Sequence, residues 1–173
     1  MLSGKYSTQG GITMFREMRR KKQMLSAQRC QEILKEGTCG VLAVLGDDDY
    51  PYAVPLNYVC DNGRIYFHCA SEGHKLDALR KHSKVSFCVI AKDRVIPEEY
   101  RTDYLSVIAF GRIRILQQEQ EKRKALEMLA LRYTPKDPAS RRNAEIDRFW
   151  DTVCMLEMTV EHLTGKEAKN PDA

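Results

Sequence analysis

Long apolar runs are missing from this chain. No stretch reaches the roughly 18 residues that a membrane-spanning helix needs, and the first eleven residues are polar and glycine-rich, without the apolar centre of a signal peptide. Both absences point to a soluble protein of the cytoplasm with no membrane partner. Cysteine is not scarce, with six in 173 residues, yet no two stand as C-x-x-C, which removes the spacing of a zinc knuckle or a thioredoxin-like redox pair. Cys39, Cys60, Cys69, Cys88 and Cys154 lie in apolar, strand-like stretches and Cys30 in an amphipathic one, so all six read as small buried hydrophobes. A net charge of +4 is too small to name a partner. The one local excess, Arg16 to Lys22, has no interleaved aromatics and no recognition-helix pattern. It reads as a solvated arm, or one that folds over a neighbouring subunit, and no nucleic-acid partner is expected. Also absent are G-x-S-x-G, H-E-x-x-H, the P-loop and the Rossmann fingerprint. No catalytic side chain and no metal ligand is therefore assigned.

What is present is ordinary for a globular protein: 43% hydrophobic and 30% charged residues, in a length that suits one domain. Residues 1–13 read as a disordered leader, 14–166 as the folded domain and 167–173 as a frayed polar tail. Ser26 looks like an N-cap, followed by Cys30, Ile33, Leu34 and Gly37 at helical spacing, with the glycine as C-cap. Cys39 to Leu45 reads as a buried strand. After the Gly46 to Pro51 turn, Tyr52 to Cys60 reads as a second strand interrupted by Pro55. Asn62-Gly63 is a hairpin signal, so Arg64 to Ala70 returns antiparallel. His74 to His82 is a short helix, Lys84 to Ile90 the fourth strand, and Ala91 to Arg101 a charged loop. Asp103 to Leu116 alternates along its length, with Gly111 marking a bend or bulge. Glu119 to Tyr133 is a helix with Leu126, Leu129, Ala130 and Tyr133 as its stripe, Arg141 to Trp150 adds helical turns, and Cys154 to Val160 is a last strand. A meander of this kind suggests an antiparallel barrel or sandwich.

Two segments could hold a ligand. The helix that starts Gly73-His74-Lys75 puts cations where the helix dipole prefers anions. Free backbone N–H groups, the Ser71 hydroxyl and Lys75 would together cradle a phosphate; equally, Lys75 could point to solvent with Asp77 offsetting it. Pro55 removes a ladder donor inside a strand, beside Asn57, which carries both donors and acceptors. That arrangement suits the polar edge of a planar heterocycle, or it blunts an edge strand. His68 lacks partners at metal-ligand spacing and reads as a pocket-wall residue.

These segments also carry a pattern. F-R-E-M-R-R-K (Phe15 to Lys21), Y-P-Y-A-V-P-L-N-Y-V (Tyr50 to Val59), I-Y-F-H-C-A-S-E-G-H-K (Ile65 to Lys75), K-V-S-F (Lys84 to Phe87) and L-T-G-K (Leu163 to Lys166) occur in this order. Over residues 14–166 the chain resembles the pyridoxamine-phosphate-oxidase-like flavoproteins, specifically their 5-nitroimidazole-resistance branch. The resemblance implies an α+β, mainly β fold: an antiparallel split β-barrel of about six strands with flanking helices. It also implies a homodimer with FMN at the subunit interface. In that arrangement Val54, Pro55, Leu56, Asn57 and Tyr58 lie along the flavin ring, and His68, Cys69 and Ala70 approach the ring and ribityl chain. Ser71, His74 and Lys75 hold the phosphate, Phe110 lines the site, and Trp150 reaches in from the second subunit. The implied activity is an FMN-dependent oxidoreductase passing electrons from a small-molecule donor to a small acceptor such as a nitroaromatic. A non-catalytic flavin- or haem-binding storage or sensor protein is the alternative. Pyridoxamine phosphate itself is disfavoured as substrate, because no second basic pocket for a substrate phosphate is legible.

Overall fold

The computed structural model describes residues 15–168. Helix α1 (Ala27–Glu36) starts where the Ser26 hydroxyl accepts the Arg29 N–H at 3.2 Å, satisfying one of the donors that a first helical turn leaves free. Cys30, Ile33 and Leu34 form its buried face. The helix stops at Gly37 as expected, but Gly37 is extended (φ −64°, ψ 151°) rather than left-handed.

Seven strands follow: β1 (Cys39–Leu45), β2 (Pro51–Asn57), β3 (Val59–Asp61), β4 (Arg64–Ala70), β5 (Lys84–Ile96), β6 (Arg101–Ile115) and β7 (Val153–Ala168). Helix α2 (His74–Lys81) joins β4 to β5, while α3 (Glu119–Tyr133) and α4 (Ala139–Phe149) join β6 to β7. The strands form one antiparallel sheet in the order β2-β1-β5-β6-β7-β4-β3. That order puts β2 and β3 at opposite edges, yet only Tyr58 separates them in sequence. Successive Cα atoms are about 3.8 Å apart, so the edges must meet at Tyr58. The sheet is therefore curled into a split β-barrel with flanking helices, the fold the resemblance implied.

Inside it, Tyr58, Phe67 and Phe87 pack edge to face, with centroids 4.9 Å and 5.0 Å apart. All three are fully buried, and such ring pairs add about 0.5–1.5 kcal/mol beyond area burial. Gly111 lies at the register shift in the β6·β7 ladder, where a Cβ would sit 2.0 Å from the Thr159 carbonyl oxygen. The expected bulge is there because two backbones approach too closely for any side chain.

Several expectations change. Pro55 does not interrupt its strand: β2 is an edge strand, and Pro55 pairs with Val41 within it. The break comes at Tyr58, which is why seven strands appear where about six were expected. Residues 91–96, expected as loop, continue β5 and pair with the start of β6. Residues 91–95 are all exposed, so this charged sequence shows no apolar alternation. An ion cluster of Lys92, Arg101, Glu99 and Asp103 stabilises it instead. Strand β7 extends to Ala168, pairing Glu167 with Leu105 where a frayed tail was expected. Of the six cysteines only Cys30 is buried; Cys39 is exposed and the other four are half-buried, because a barrel wall has an outer face that the core does not cover. The expected leader lies outside the described residues.

Candidate functional site

A cavity of about 690 Å³ opens where the outer side of β4 faces α3 and α4. Asn57, His68, Cys69, Ala70 and Val153 form its sheet side. The other wall is the stripe Leu126, Leu129, Ala130 and Tyr133 of α3, with Ile146 and Phe149 of α4. The stripe was legible in the sequence, but its role was not. Only Leu129 of the four is buried; the others present apolar surface to the cavity. Volume and character match ordinary small-molecule sites, which run from about 300 to 1,000 Å³ with a few polar groups among apolar walls.

The polar groups are positioned by the seam of the barrel. Asn57 Nδ2 donates to the Thr38 carbonyl at 2.8 Å, which leaves its amide oxygen available as an acceptor. Tyr133 Oη accepts the Tyr58 N–H at 3.0 Å and lies 2.6 Å from the Thr38 carbonyl oxygen. The Tyr58 ring is turned into the core, where its hydroxyl donates to the Leu34 carbonyl at 2.7 Å. The Tyr58 side chain therefore does not line the cavity. Val54 and Leu56 share the inner face of β2, and Pro55 faces outward beside Asn57.

Past Ala70 the chain leaves the sheet with a Ser71 N–H bond to the Thr152 carbonyl. Gly73 then takes φ 122°, ψ 165°, a region that only glycine occupies without strain. Its carbonyl accepts from the Leu76 and Asp77 N–H groups, and no side chain caps α2. His74 is already engaged: it stacks on Tyr52 at 4.4 Å and sits 3.4 Å from an Asp47 oxygen. The cationic start of α2 thus has a partial internal answer in Asp47, which the sequence did not reveal. Lys75 has none among the described residues. Its ammonium lies close enough to act on both His68 and Cys69. Partial burial, helped by Lys75, holds the His68 imidazole below its usual range near 6.5. Burial pushes the Cys69 thiol up to about 11, with Lys75 opposing.

Of the implied residues Asn57, His68, Cys69 and Ala70 line the cavity and the other nine do not, Phe110 and Trp150 among them. Phe110 is on the outward face of β6, in contact with Phe15 (5.5 Å between centroids) and His162 (6.0 Å). Trp150 sits beyond the end of α4, under Lys122 Nζ at 4.4 Å and Arg123 at 5.1 Å. It borders a separate hollow with Glu119, Asp147 and Asp151. Neither reaches the cavity within this chain. Among the described residues no group of three or more His, Cys, Asp or Glu side chains could hold a metal ion, and no helix is long and apolar enough to cross a membrane.

A curled antiparallel sheet with a helix-roofed, mostly apolar cavity places the chain in the split-barrel class. The chain belongs to the pyridoxamine 5'-phosphate oxidase family, whose sequence model matches residues 26–167. Solved structures share the fold. A candidate 5-nitroimidazole antibiotic resistance protein from Bacteroides thetaiotaomicron is 22% identical, with 83% of this chain and 86% of that one covered at a TM-score of 0.71. A conserved hypothetical protein from Mycobacterium tuberculosis is 16% identical over 91% of this chain and all of that one, at 0.75. A FAD and haem binding protein from Mycobacterium smegmatis is 21% identical, covering 86% and 74%, at 0.70. Among curated proteins, an uncharacterized protein of Rhizobium meliloti is 37% identical over 65 residues; the match spans 37% of this chain and 41% of that protein.

Proposed function

We propose that the cavity binds FMN and that the protein is a flavin-dependent oxidoreductase of the cytoplasm, passing electrons from a reduced donor to a small acceptor such as a nitroaromatic. The observation that carries this reading is convergence. Asn57, His68, Cys69 and Ala70, distant in sequence or split between two strands, meet on one wall, and Lys75 is the charge that His68 and Cys69 sense. The donor set fits a phosphorylated heterocycle. Lys75 and the uncapped first turn of α2 supply an anion site; the Asn57 amide oxygen supplies an acceptor for a ring edge. The apolar α3 stripe would exclude water from a planar face. When bound, the flavin supplies the redox chemistry, and the protein supplies orientation and electrostatics. The His68 imidazole, held neutral at physiological pH, would sit against the ligand without adding charge.

Pro55 and Phe110 fit the reading if a second copy docks on the outer sheet face. The register sets Pro55, Val41, Cys88, Ile108 and Thr164 in one outward row, with Phe110 in the next. A homodimer across this face would add Phe110 to the ligand's surroundings, and Trp150 of the second subunit is expected at the same site. FAD is the rival ligand, given the FAD-binding relatives of the same fold.

Purified protein should absorb as a flavoprotein, and mass spectrometry of the ligand released on denaturation should give FMN. Lys75→Ala should weaken FMN binding by about tenfold, or about 1.4 kcal/mol. A colourless protein with no FMN affinity overturns the proposal. Stable flavin binding with no turnover of NAD(P)H against nitroaromatic acceptors would favour the storage or sensor reading.

A further inference from the structure

Of the six cysteines, all free, only Cys69 and Cys154 stand directly opposite each other in a strand ladder. The pairing in β4·β7 also fixes the kind of position they occupy. Ser71 N–H bonds to the Thr152 carbonyl and Val160 N–H to the Gly63 carbonyl, so alternate residues between these points, Cys69 and Cys154 among them, are hydrogen-bonded pairs. Such pairs have Cα atoms about 5.5 Å apart, inside the roughly 4.4–6.8 Å that a disulfide accepts, while their Cβ atoms, at the wide end of about 4.5–5.5 Å, must draw together toward about 4.5 Å, which leaves the bond strained and reducible. Directly opposed residues project to the same face. Both side chains pack at the edge of the main core, and the two thiols are within hydrogen-bond reach of each other. Cys69 also lines the cavity, so small molecules can reach the pair through it.

We propose that Cys69 and Cys154 form a cross-strand dithiol that closes to an intramolecular disulfide in the cavity wall, by exchange with small-molecule disulfides. One cysteine, as thiolate, attacks the small disulfide and releases one thiol, leaving a mixed disulfide. The second cysteine attacks the protein-side sulfur, the protein disulfide forms and a second thiol leaves. Two electrons pass from the protein to the small disulfide, and the two cysteine protons end on the two released thiols. Two strands of the sheet already hold the sulfurs in place, so the second step outruns further exchange with small thiols. Burial raises the Cys69 thiol, so fewer thiolates are present and closure is slow. The inference goes beyond the flavin reading and does not depend on it.

The test treats the reduced full-length protein with oxidised glutathione, alkylates the remaining thiols and digests with trypsin without reduction. The expected product links Ile65–Lys75 to Phe149–Lys166, peptides that each carry one cysteine, and it should vanish on reduction. Cys154→Ala should abolish the linked peptide and leave Cys69 as a stable glutathione adduct, because no second thiol resolves it. Should that variant fail to fold, the linked peptide from the wild-type chain decides the matter alone. The proposal is overturned if wild-type protein that stays folded by circular dichroism keeps both thiols alkylatable. It is equally overturned if either cysteine pairs elsewhere, or if an adduct accumulates on Cys69 while Cys154 remains free.

Discussion

The Tyr133 hydroxyl accepts the Tyr58 backbone N–H at 3.0 Å and lies 2.6 Å from the Thr38 carbonyl oxygen and 2.8 Å from that of Tyr58. One phenol at the end of α3 therefore closes the seam where the two edges of the sheet meet. Next to it Arg132 donates to the Glu36 carbonyl at 2.7 Å, and Tyr58 Oη donates to that of Leu34 at 2.7 Å. These are the carbonyls that the last turn of α1 leaves without helical partners. The seam, the helix end and the cavity wall share one set of hydrogen bonds.

Removing a member of that set should loosen all three. Tyr133→Phe takes the partner of the Tyr58 N–H away at the partly exposed end of α3, for a loss of about 1 kcal/mol; Tyr58→Phe strips the buried Leu34 carbonyl of its donor, for about 1–2 kcal/mol. Urea unfolding monitored by tryptophan fluorescence would give both values. A neutral Tyr133→Phe would show that water replaces the phenol without cost.

Two glycines should fail for different reasons. Gly111→Ala forces a Cβ to 2.0 Å from the Thr159 carbonyl oxygen, a backbone clash that should cost more than about 4 kcal/mol and abolish soluble expression. Gly73→Ala meets nothing within 4 Å but keeps the chain at φ 122°. It should cost about 1–3 kcal/mol and, by shifting the start of α2, weaken anion binding more than it lowers stability.

Glu157 is buried, held by Arg114 Nε at 2.9 Å, with Arg64 at 3.7 Å. Arg114 also reaches Glu121 in the first turn of α3, at 2.8 Å, so it ties the cavity's roof to the sheet. Arg114→Met should destabilise by about 2–3 kcal/mol, less than the roughly 3–5 kcal/mol of a fully orphaned buried charge, because Arg64 remains. The double variant Arg114→Met, Glu157→Gln should recover part of that loss in the same denaturation experiment.

His68 should titrate below 6.5, because partial burial and the Lys75 charge disfavour its protonated form. The folded value lies below the unfolded one, so this group's contribution to stability is present above about 6.5 and is lost as pH falls through the folded value. An anion on Lys75 should move the His68 midpoint upward. NMR titration of the imidazole resonances, with His68→Gln for assignment, would show both effects; a midpoint unmoved by phosphate or FMN would separate Lys75 from the ligand site.

The order of strands and helices was legible in the chain, and so was the glycine turn before α2. Ser26 caps, Asn62-Gly63 turns with φ of 47° and 77°, and Gly111 bulges; each acts through its own backbone neighbourhood, which is why local pattern suffices. Four of the implied residues, Asn57, His68, Cys69 and Ala70, do share a cavity. Less was legible wherever a residue's role depends on a distant segment. Tyr58 and Asn57 are adjacent, yet one ring enters the core and the other side chain lines the cavity, because the barrel closes between them. His74 answers to Asp47 across the β1–β2 turn, and the α3 stripe, which periodicity alone assigns to a core, faces open space because α4 folds beside it. Phe110 and Trp150 lie outside the cavity of their own chain for the same kind of reason. By itself the sequence determined which segments bend, turn and cap, since those choices are made within a few residues. Only the tertiary structure decided which side chains share a volume, since that depends on how a curled sheet brings its two edges, and the helices beyond them, to one place.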